Sequence, residues 1–381
     1  MDDNSTYPFA TRRRFLIVCA LFAATAKKAK AEYTFTLIAD SAGPFGSFDF
    51  DSSSLNAVGT VAFRAILNAG NQGIFTGNGN SITTVAIAPS KFAYFGTPSI
   101  NRAGTVAFVA SPNSGSGDGI VAGNGGPLVT IADTAGQFRD FFAGYSAAIN
   151  STGTVAFTAS LDSGGGGIFA GNGGATTPIL LRSPSLGADS DIFLNDAGTV
   201  AFRAYFQAGT NTGIATTNGG LVTTIADNTG PLNYFGSAPS LSGNGTVAFV
   251  AGVNGRDGGV FGVYKSSGGL LTTIADLSGP FSSFGFNSFN SGQPSINDTG
   301  TVAFLAGLDV GGFGIYTGNG TGTNEVIGSG DALFGSTVSA VQISPTSLND
   351  AGQVAFYYRL ANAPLASLSP TPSPSPPQLC I

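Results

Sequence analysis

Asn101-Arg102-Ala103-Gly104-Thr105-Val106-Ala107-Phe108 decides the fold, because the chain keeps returning to it. Gly-Thr-Val-Ala-Phe begins at Gly59, Gly104, Gly153, Gly198, Gly245 and Gly300, and a seventh copy with one change runs from Gly352 to Phe356. Successive copies lie 45, 49, 45, 47, 55 and 52 residues apart. Strand-like units recurring every roughly 40–50 residues mark a propeller or a related array, in which each unit buries its faces against its neighbours.

Around the second copy the unit divides into four strand-like pieces. Thr97-Pro98-Ser99-Ile100-Asn101 leads into the turn, and Gly104 to Ala110 follows with Val106 and Phe108 alternating. Gly119-Ile120-Val121 is the third piece, and Leu128 to Asp133 is the fourth, joined to it by Asn124-Gly125. Asn-Gly between apolar runs favours the two-residue type I′ hairpin. The same dipeptide recurs at Asn78-Gly79, Asn172-Gly173, Asn218-Gly219 and Asn319-Gly320. Four antiparallel strands repeated seven times predict an all-β fold, a seven-bladed β-propeller. A right-handed β-solenoid is the competing architecture, with shorter coils.

The ends suggest how the ring closes. A third-strand signature stands at Gly73-Ile74, Gly119-Ile120, Gly167-Ile168, Gly213-Ile214, Gly259-Val260 and Gly314-Ile315, and none follows the seventh pentapeptide. The fourth-strand signature comes early, as Thr36-Leu37-Ile38-Ala39-Asp40. That N-terminal strand is expected to pair with the last repeat, removing two sheet edges and leaving the seventh blade with three good strands.

Composition agrees. The 381 residues include 57 Gly, 19 Pro and 31 Phe, with only 9% charged residues. Few Lys and Glu disfavour long surface helices. There is no His, which removes Ser-His-Asp and Cys-His catalysis and imidazole metal ligation. Cys19 and Cys380 allow neither a thiolate zinc cluster nor a disulfide framework. A net charge of −6 argues against nucleic acid as a partner.

Residues 1–31 read as a signal peptide. Arg12-Arg13-Arg14 precedes an apolar run from Phe15 to Ala26, and Ala29-Lys30-Ala31 offers a cleavage site. Thr11 to Leu16 resembles the bacterial twin-arginine motif, and the run is too short for a permanent membrane span. Residues 32–363 form the seven-repeat propeller. Residues 364–381, rich in Ser and Pro, read as a disordered tail. The expected location is the extracellular space or the cell envelope, the periplasm included.

Asn stands three residues before the repeat Gly at Asn56, Asn101, Asn150, Asn195, Asn297 and Asn349, with Ser242 the exception. The tandem Asn-x-x-Gly-x-x-Ala-Phe pattern behind a signal peptide resembles the bacterial choice-of-anchor tandem repeat NxxGxxAF-containing proteins, over about residues 33 to 360. The resemblance implies an exported repeat protein of unassigned biochemical function. Such proteins often end in an anchor of short motif, apolar span and basic cluster. This chain ends Gln378-Leu379-Cys380-Ile381, so secretion without an anchor is expected.

Candidate site residues are acidic. Asp49 and Asp51, and likewise Asp189 and Asp191, share a face at spacing two and could supply oxygen ligands to calcium or an acid/base couple. Asp40, Asp133, Asp227 and Asp276 end fourth strands, and Asp196, Asp298 and Asp350 follow the repeat Asn, positions that suit turns as well as ion sites. Arg64 and Arg203 follow the repeat Phe and either pair with a nearby Asp or face an acidic sugar. Phe-rich loops such as Phe138 and Tyr234-Phe235 suit inter-blade packing or sugar stacking. No catalytic residue is assigned, and no cofactor is required beyond the calcium option. The expectation is a non-catalytic binding or scaffold propeller that contacts polysaccharide or surface proteins. The alternative is a carboxylate-dependent, calcium-assisted or metal-free, glycoside hydrolase or polysaccharide lyase, which requires a polar cluster at the channel mouth that breaks the likeness of the blades.

Overall fold

All seven repeat turns, six of them Asn-x-x-Gly and one Ser-x-x-Gly, take one conformation, and the glycine sets it. Gly59, Gly104, Gly153, Gly198, Gly245, Gly300 and Gly352 have φ between 76° and 86°, the left-handed region where a side chain is strained. At the second turn the Gly104 N–H donates to the Asn101 carbonyl (3.0 Å), and the Thr105 N–H to Asn101 Oδ1 (2.9 Å). The strand that follows is buried on both faces: Val106, Ala107 and Phe108 are wholly inaccessible to solvent.

The computed structural model describes residues 15–23, 32–89, 92–112, 118–141, 147–206, 211–253, 260–284 and 293–361. They form seven small antiparallel sheets and no helix, a seven-bladed β-propeller. Blade one shows the plan. Phe45–Leu55 is innermost, followed outward by Val61–Leu67, Gln72–Gly77 and Ile82–Ile87. The pentapeptide strand is second in every blade. Each blade pairs its strands internally, which sets it apart from the coils of a solenoid.

The asparagines join the blades. Asn56 Nδ2 donates to the Asn101 carbonyl (3.1 Å), Asn101 to Asn150 (3.1 Å), Asn150 to Asn195 (3.4 Å), and Asn195 to Ser242 (3.2 Å). Asn297 Nδ2 reaches Asn349 (3.1 Å), and Asn349 returns to Asn56 (3.0 Å), closing the circle. In blade five Ser242 Oγ takes over the turn, accepting the Thr246 N–H (2.9 Å), while Asn244 Nδ2 makes the link onward to the Asp298 carbonyl (2.8 Å).

Third strands explain their glycines. A Cβ at Gly73, Gly119, Gly167, Gly213, Gly262 or Gly314 would stand 2.0–3.1 Å from a carbonyl oxygen of the fourth strand. Every third strand then bulges after the next residue, as between Ile120 and Val121. In blade five the register corrects the sequence reading: Gly262 pairs with Asp276 and Val263 with Ala275, so the signature is Gly262-Val263 and not Gly259-Val260.

The seventh blade also differs from expectation. Its sheet has five strands, and Phe15–Ala23, from the stretch read as a leader, lies between Val354–Leu360 and Glu32–Asp40. Its register is that of the other blades: Leu16 pairs with Asp40, Ile17 with Ala39, and the bulge follows Ile17. An unbroken apolar run serves a buried strand as readily as a leader core, so sequence pattern does not separate the two uses. Leu16, however, stands where six blades carry glycine.

Aromatic side chains fill the gaps between blades. Phe138 meets Phe157 at 5.5 Å and Phe169 at 4.9 Å, and this group packs against Val109 and Ile131 of the preceding blade. Phe281, Phe304 and Tyr316 repeat the arrangement in blade six.

Two substitutions test these constraints in thermal and urea melts. Asn101→Ala leaves the Thr105 N–H and the Asn150 carbonyl without partners, and is expected to cost about 2–4 kcal/mol. Unchanged melting would remove the asparagine circle from the account. Gly213→Ala places a Cβ 2.3 Å from the Ala226 carbonyl oxygen and is expected to unfold the blade or prevent soluble expression, whereas Gly220→Ala, with nothing within 4 Å, is expected to be silent. Equal behaviour of the pair would show that close approach is not what selects glycine.

Candidate functional site

The inner strands surround a central cavity of about 810 Å³. The residues just before the seven turns, Leu55, Ile100, Ile149, Leu194, Leu241, Ile296 and Leu348, all line it and make an apolar ring beside the asparagine circle. One position earlier stand hydroxyls that tie neighbouring blades: Ser54 Oγ accepts the Ile100 N–H (3.3 Å), Ser99 Oγ the Ile149 N–H (3.2 Å), Ser240 Oγ the Ile296 N–H (3.1 Å), and Ser295 Oγ the Leu348 N–H (2.9 Å).

The other part of the cavity wall is one-sided. Blades one, two, three and seven contribute small side chains such as Ser53, Thr97, Ala147 and Ser344. Blades four to six contribute Asp191, Arg203, Tyr234, Phe261 and Gln293. The Arg203 guanidinium lies over the Tyr205 ring, 5.3 Å from its centroid. Gln293 Nε2 donates to Ser237 Oγ (3.3 Å), and its carboxamide rests on Gly236, where a Cβ would stand 3.0 Å from Oε1. A carboxylate, a guanidinium, a phenol and a carboxamide on one wall can hold an anionic group and move a proton.

One member of each predicted acidic pair can be placed. Asp49 is committed to Arg64, with Nε to Oδ2 at 2.7 Å, and the same guanidinium donates to Tyr94 Oη (2.7 Å) and to the Phe95 carbonyl (2.6 Å). Burial alone would lower the Arg64 pKa, but the charge and hydrogen bonds of Asp49 and Tyr94 outweigh it and hold the value above normal. This cluster lies between blades one and two, outside the cavity lining. Asp51 and Asp189 lie on strands, but their side chains fall outside the described residues. Asp191 lines the cavity. Arg64 and Arg203, alike in sequence, thus part company: the first is structural and the second faces the channel.

The Asp residues at the fourth-strand ends and after the repeat Asn build turns and joints. Asp40 Oδ1 accepts the Ala42 and Gly43 N–H groups (3.1 and 3.0 Å), Asp133 the Ala135 N–H (3.0 Å), and Asp276 the Ser278 N–H (2.9 Å). Asp196 accepts the Ser151 N–H of the preceding blade (2.7 Å), and Asp350 the Asp298 N–H (2.8 Å). Among the described residues no three acidic or thiol side chains gather as a cation site.

Sequence reasoning passed over Gln293 and Phe261 and placed Tyr234 only in a loop. A usable signal lay in the column four residues before each turn, where Asp191 and Gln293 stand among Ser52, Thr97 and Ala238.

Residues 183–371 resemble a family of unknown function, DUF7453, over just under half of the chain. No curated protein matches the sequence. Among solved structures, oligogalacturonate lyase from Vibrio parahaemolyticus superposes with a TM-score of 0.51 at 11% identity, covering 90% of this chain and 97% of that one. An oligogalacturonate lyase in complex with manganese gives 0.51 at 9% identity, covering 91% and 97%. Prolyl oligopeptidase B from Galerina marginata gives 0.51 at 9%, covering 78% of this chain and 47% of its own. These are likenesses of fold. They nevertheless correct the expectation of a non-catalytic binding or scaffold ring, since the structures that this ring matches over 97% of their length are lyases. The asymmetric channel wall is also the feature that only the enzymatic alternative required.

Because Asp49 neutralises Arg64 and the strand-end aspartates bind backbone, melting of the full chain is expected to be the same in EDTA and in millimolar calcium. A calcium-dependent rise of several degrees would reveal a cation site, since a ligand bound only by the folded state stabilises it.

Proposed function

We propose that this chain is a polysaccharide lyase that acts on uronate-containing glycans in its central cavity. The one-sided cluster of Asp191, Arg203, Tyr234 and Gln293 carries the reading. Arg203 and Gln293 suit the uronate carboxylate: the guanidinium is a planar double donor, and the carboxamide adds a neutral one. Holding that carboxylate withdraws charge and acidifies the hydrogen on the adjacent ring carbon, C5. Tyr234 or Asp191 takes this proton as general base. The C5–H pair becomes the C4=C5 double bond, the C4–O4 bond breaks, and the departing oxygen is protonated from the other side of the pair or from water. None of these steps needs imidazole, which the chain lacks.

The repeats support placing the chain with exported NxxGxxAF proteins, outside the cytoplasm, where polysaccharide is at hand. Elimination leaves an unsaturated sugar that absorbs in the ultraviolet, which gives a direct assay. Full-length chain incubated with polygalacturonate and other polyuronides is expected to raise that absorbance, and neutral glycans are not. Tyr234→Phe and Asp191→Asn are expected to slow the reaction, the base among them by about 10²–10⁴-fold. Arg203→Ala is expected to raise KM and to lower kcat. Absence of product from every polyuronide by a folded chain would defeat the proposal, as would full activity in all three variants.

A further inference from the structure

Phe261 comes to the cavity from an outer strand. Among the described residues that line the cavity, all but Arg203 and Phe261 belong to an innermost strand or to the approach to a repeat turn. Phe261 stands on Val260–Ser267, the third strand of blade five. Its register explains how it reaches inward. Tyr234 pairs with Gly252, and Gly252 pairs with Phe261, so the three residues form one row across three strands. Residues paired directly across a sheet put their side chains on the same face. The backbones of Tyr234 and Phe261 are two strand spacings apart, roughly 10 Å, and the glycine between them leaves their rings free to meet.

The ring centroids lie 5.7 Å apart and the ring planes stand at 89°. A Cβ at Gly252 would lie 2.8 Å from two carbons of the Phe261 ring, so a larger residue there would push the ring off the row. Phe261 also packs against the core between blades five and six, which anchors it. Blade six shows that the row is not a by-product of the repeat. Phe313 pairs there with Gly307 in the same register, but Ser283 stands where blade five has Tyr234. A Cβ at Gly307 would meet Ser283 Oγ at 2.6 Å and no aromatic ring. Phe313 packs instead against the core shared with blade seven and does not line the cavity.

We infer that Phe261 and Tyr234 form an aromatic corner that holds a pyranose ring of the glycan, with Phe261 the residue that makes the site select a sugar. The face of an aromatic ring is negative and its edge positive. The C–H groups of a sugar ring carry partial positive charge, so a pyranose rests its C–H side on an aromatic face. Two rings at right angles offer such a face with a wall beside it. Arg203 and Gln293 line the same cavity and suit a carboxylate, but a carboxylate alone does not tell a uronate from an acidic peptide. The corner supplies that distinction. The inference rests on the lyase reading for the sugar's being a uronate, while the corner itself is read from strand register and ring geometry.

The chain has no Trp, so Phe261→Trp in the full-length protein places a single indole at the corner. On an Asp191→Asn background, which slows turnover, oligogalacturonate is expected to change its emission saturably. Adipate, a dicarboxylate without a ring, and an oligoglutamate peptide are expected to leave it unchanged. Phe261→Leu on the same background keeps apolar volume but loses the ring face, and is expected to bind oligogalacturonate about tenfold more weakly by calorimetry. Phe313→Leu is expected to bind as its parent does. Equal affinity of Phe261→Leu and its parent, or emission that ignores oligogalacturonate or follows adipate equally, would overturn the corner. Unsaturated product from the wild-type chain would then leave the lyase reading standing. A saturable, sugar-specific response with no product from any polyuronide would defeat the lyase reading and keep the corner as a carbohydrate site. Failure of a wild-type chain that melts normally to bind any uronide would overturn both.

Discussion

An asparagine carboxamide accepts at one atom and donates at the other, and this ring is organised around that double capacity. Oδ1 of Asn101 holds its own turn through the Thr105 N–H, and Nδ2 holds the next blade through the Asn150 carbonyl. Local and long-range structure are thereby fixed by the same buried side chain. A blade whose turn opened would also lose its neighbour. Each bond contributes only about 1 kcal/mol net, but leaving either partner unpaired in a buried place costs about 1–3 kcal/mol. The circle therefore acts less by adding stability than by penalising every arrangement in which a blade is missing or out of register.

This dependence explains which parts were legible in the sequence. Asn, Gly, Ala and Phe recur because each meets a separate demand: a turn acceptor with a cross-blade donor, a left-handed φ, a strand position without room for more than a methyl group, and an inter-blade filling. Ala62, Ala107, Ala156 and Ala201 are wholly buried, and so are Phe63, Phe108 and Phe202. Such demands repeat with the blade, so they print a periodic pattern and the fold can be read from it. The cavity wall is not periodic. Asp191, Tyr234 and Gln293 are distant in sequence and come onto one wall only when blades four to six stack. Periodicity also misled where it was trusted too far, since Gly259-Val260 imitates the signature that Gly262-Val263 fulfils.

The acidic pairs show the same limit at single residues. Asp49 and Asp191 were equal candidates by spacing, and their fates were settled by what the fold places opposite them. Asp49 meets Arg64 on the strand beside it, with Tyr94 of blade two completing the cluster, and so becomes a joint between blades. Asp191 looks into the channel. The strand-end aspartates could be assigned in advance only by chemistry, because a carboxylate beside exposed N–H groups folds a turn more readily than it gathers an ion.

Closure of the ring is met at blade seven, and there the repeat departs from itself twice. At the outer side Phe15–Ala23 occupies the third-strand place with Leu16 where the other blades need glycine, so this strand is the least adapted to its slot. At the inner side Thr346 lengthens the approach to the last turn, which bonds to Ser53 of blade one and to Ser240 of blade five. A strict repeat would give seven equal walls around an open bore, a shape with no preferred place for a ligand. Function requires the symmetry to be broken, but the asparagine circle tolerates little change at the turns themselves. The permitted changes are confined to the residues just before the turns, and those are the residues that line the cavity. Asp191, Gln293 and Thr346, which line the cavity, are all of this kind, so the constraint that builds the ring also determines where a site can arise in it.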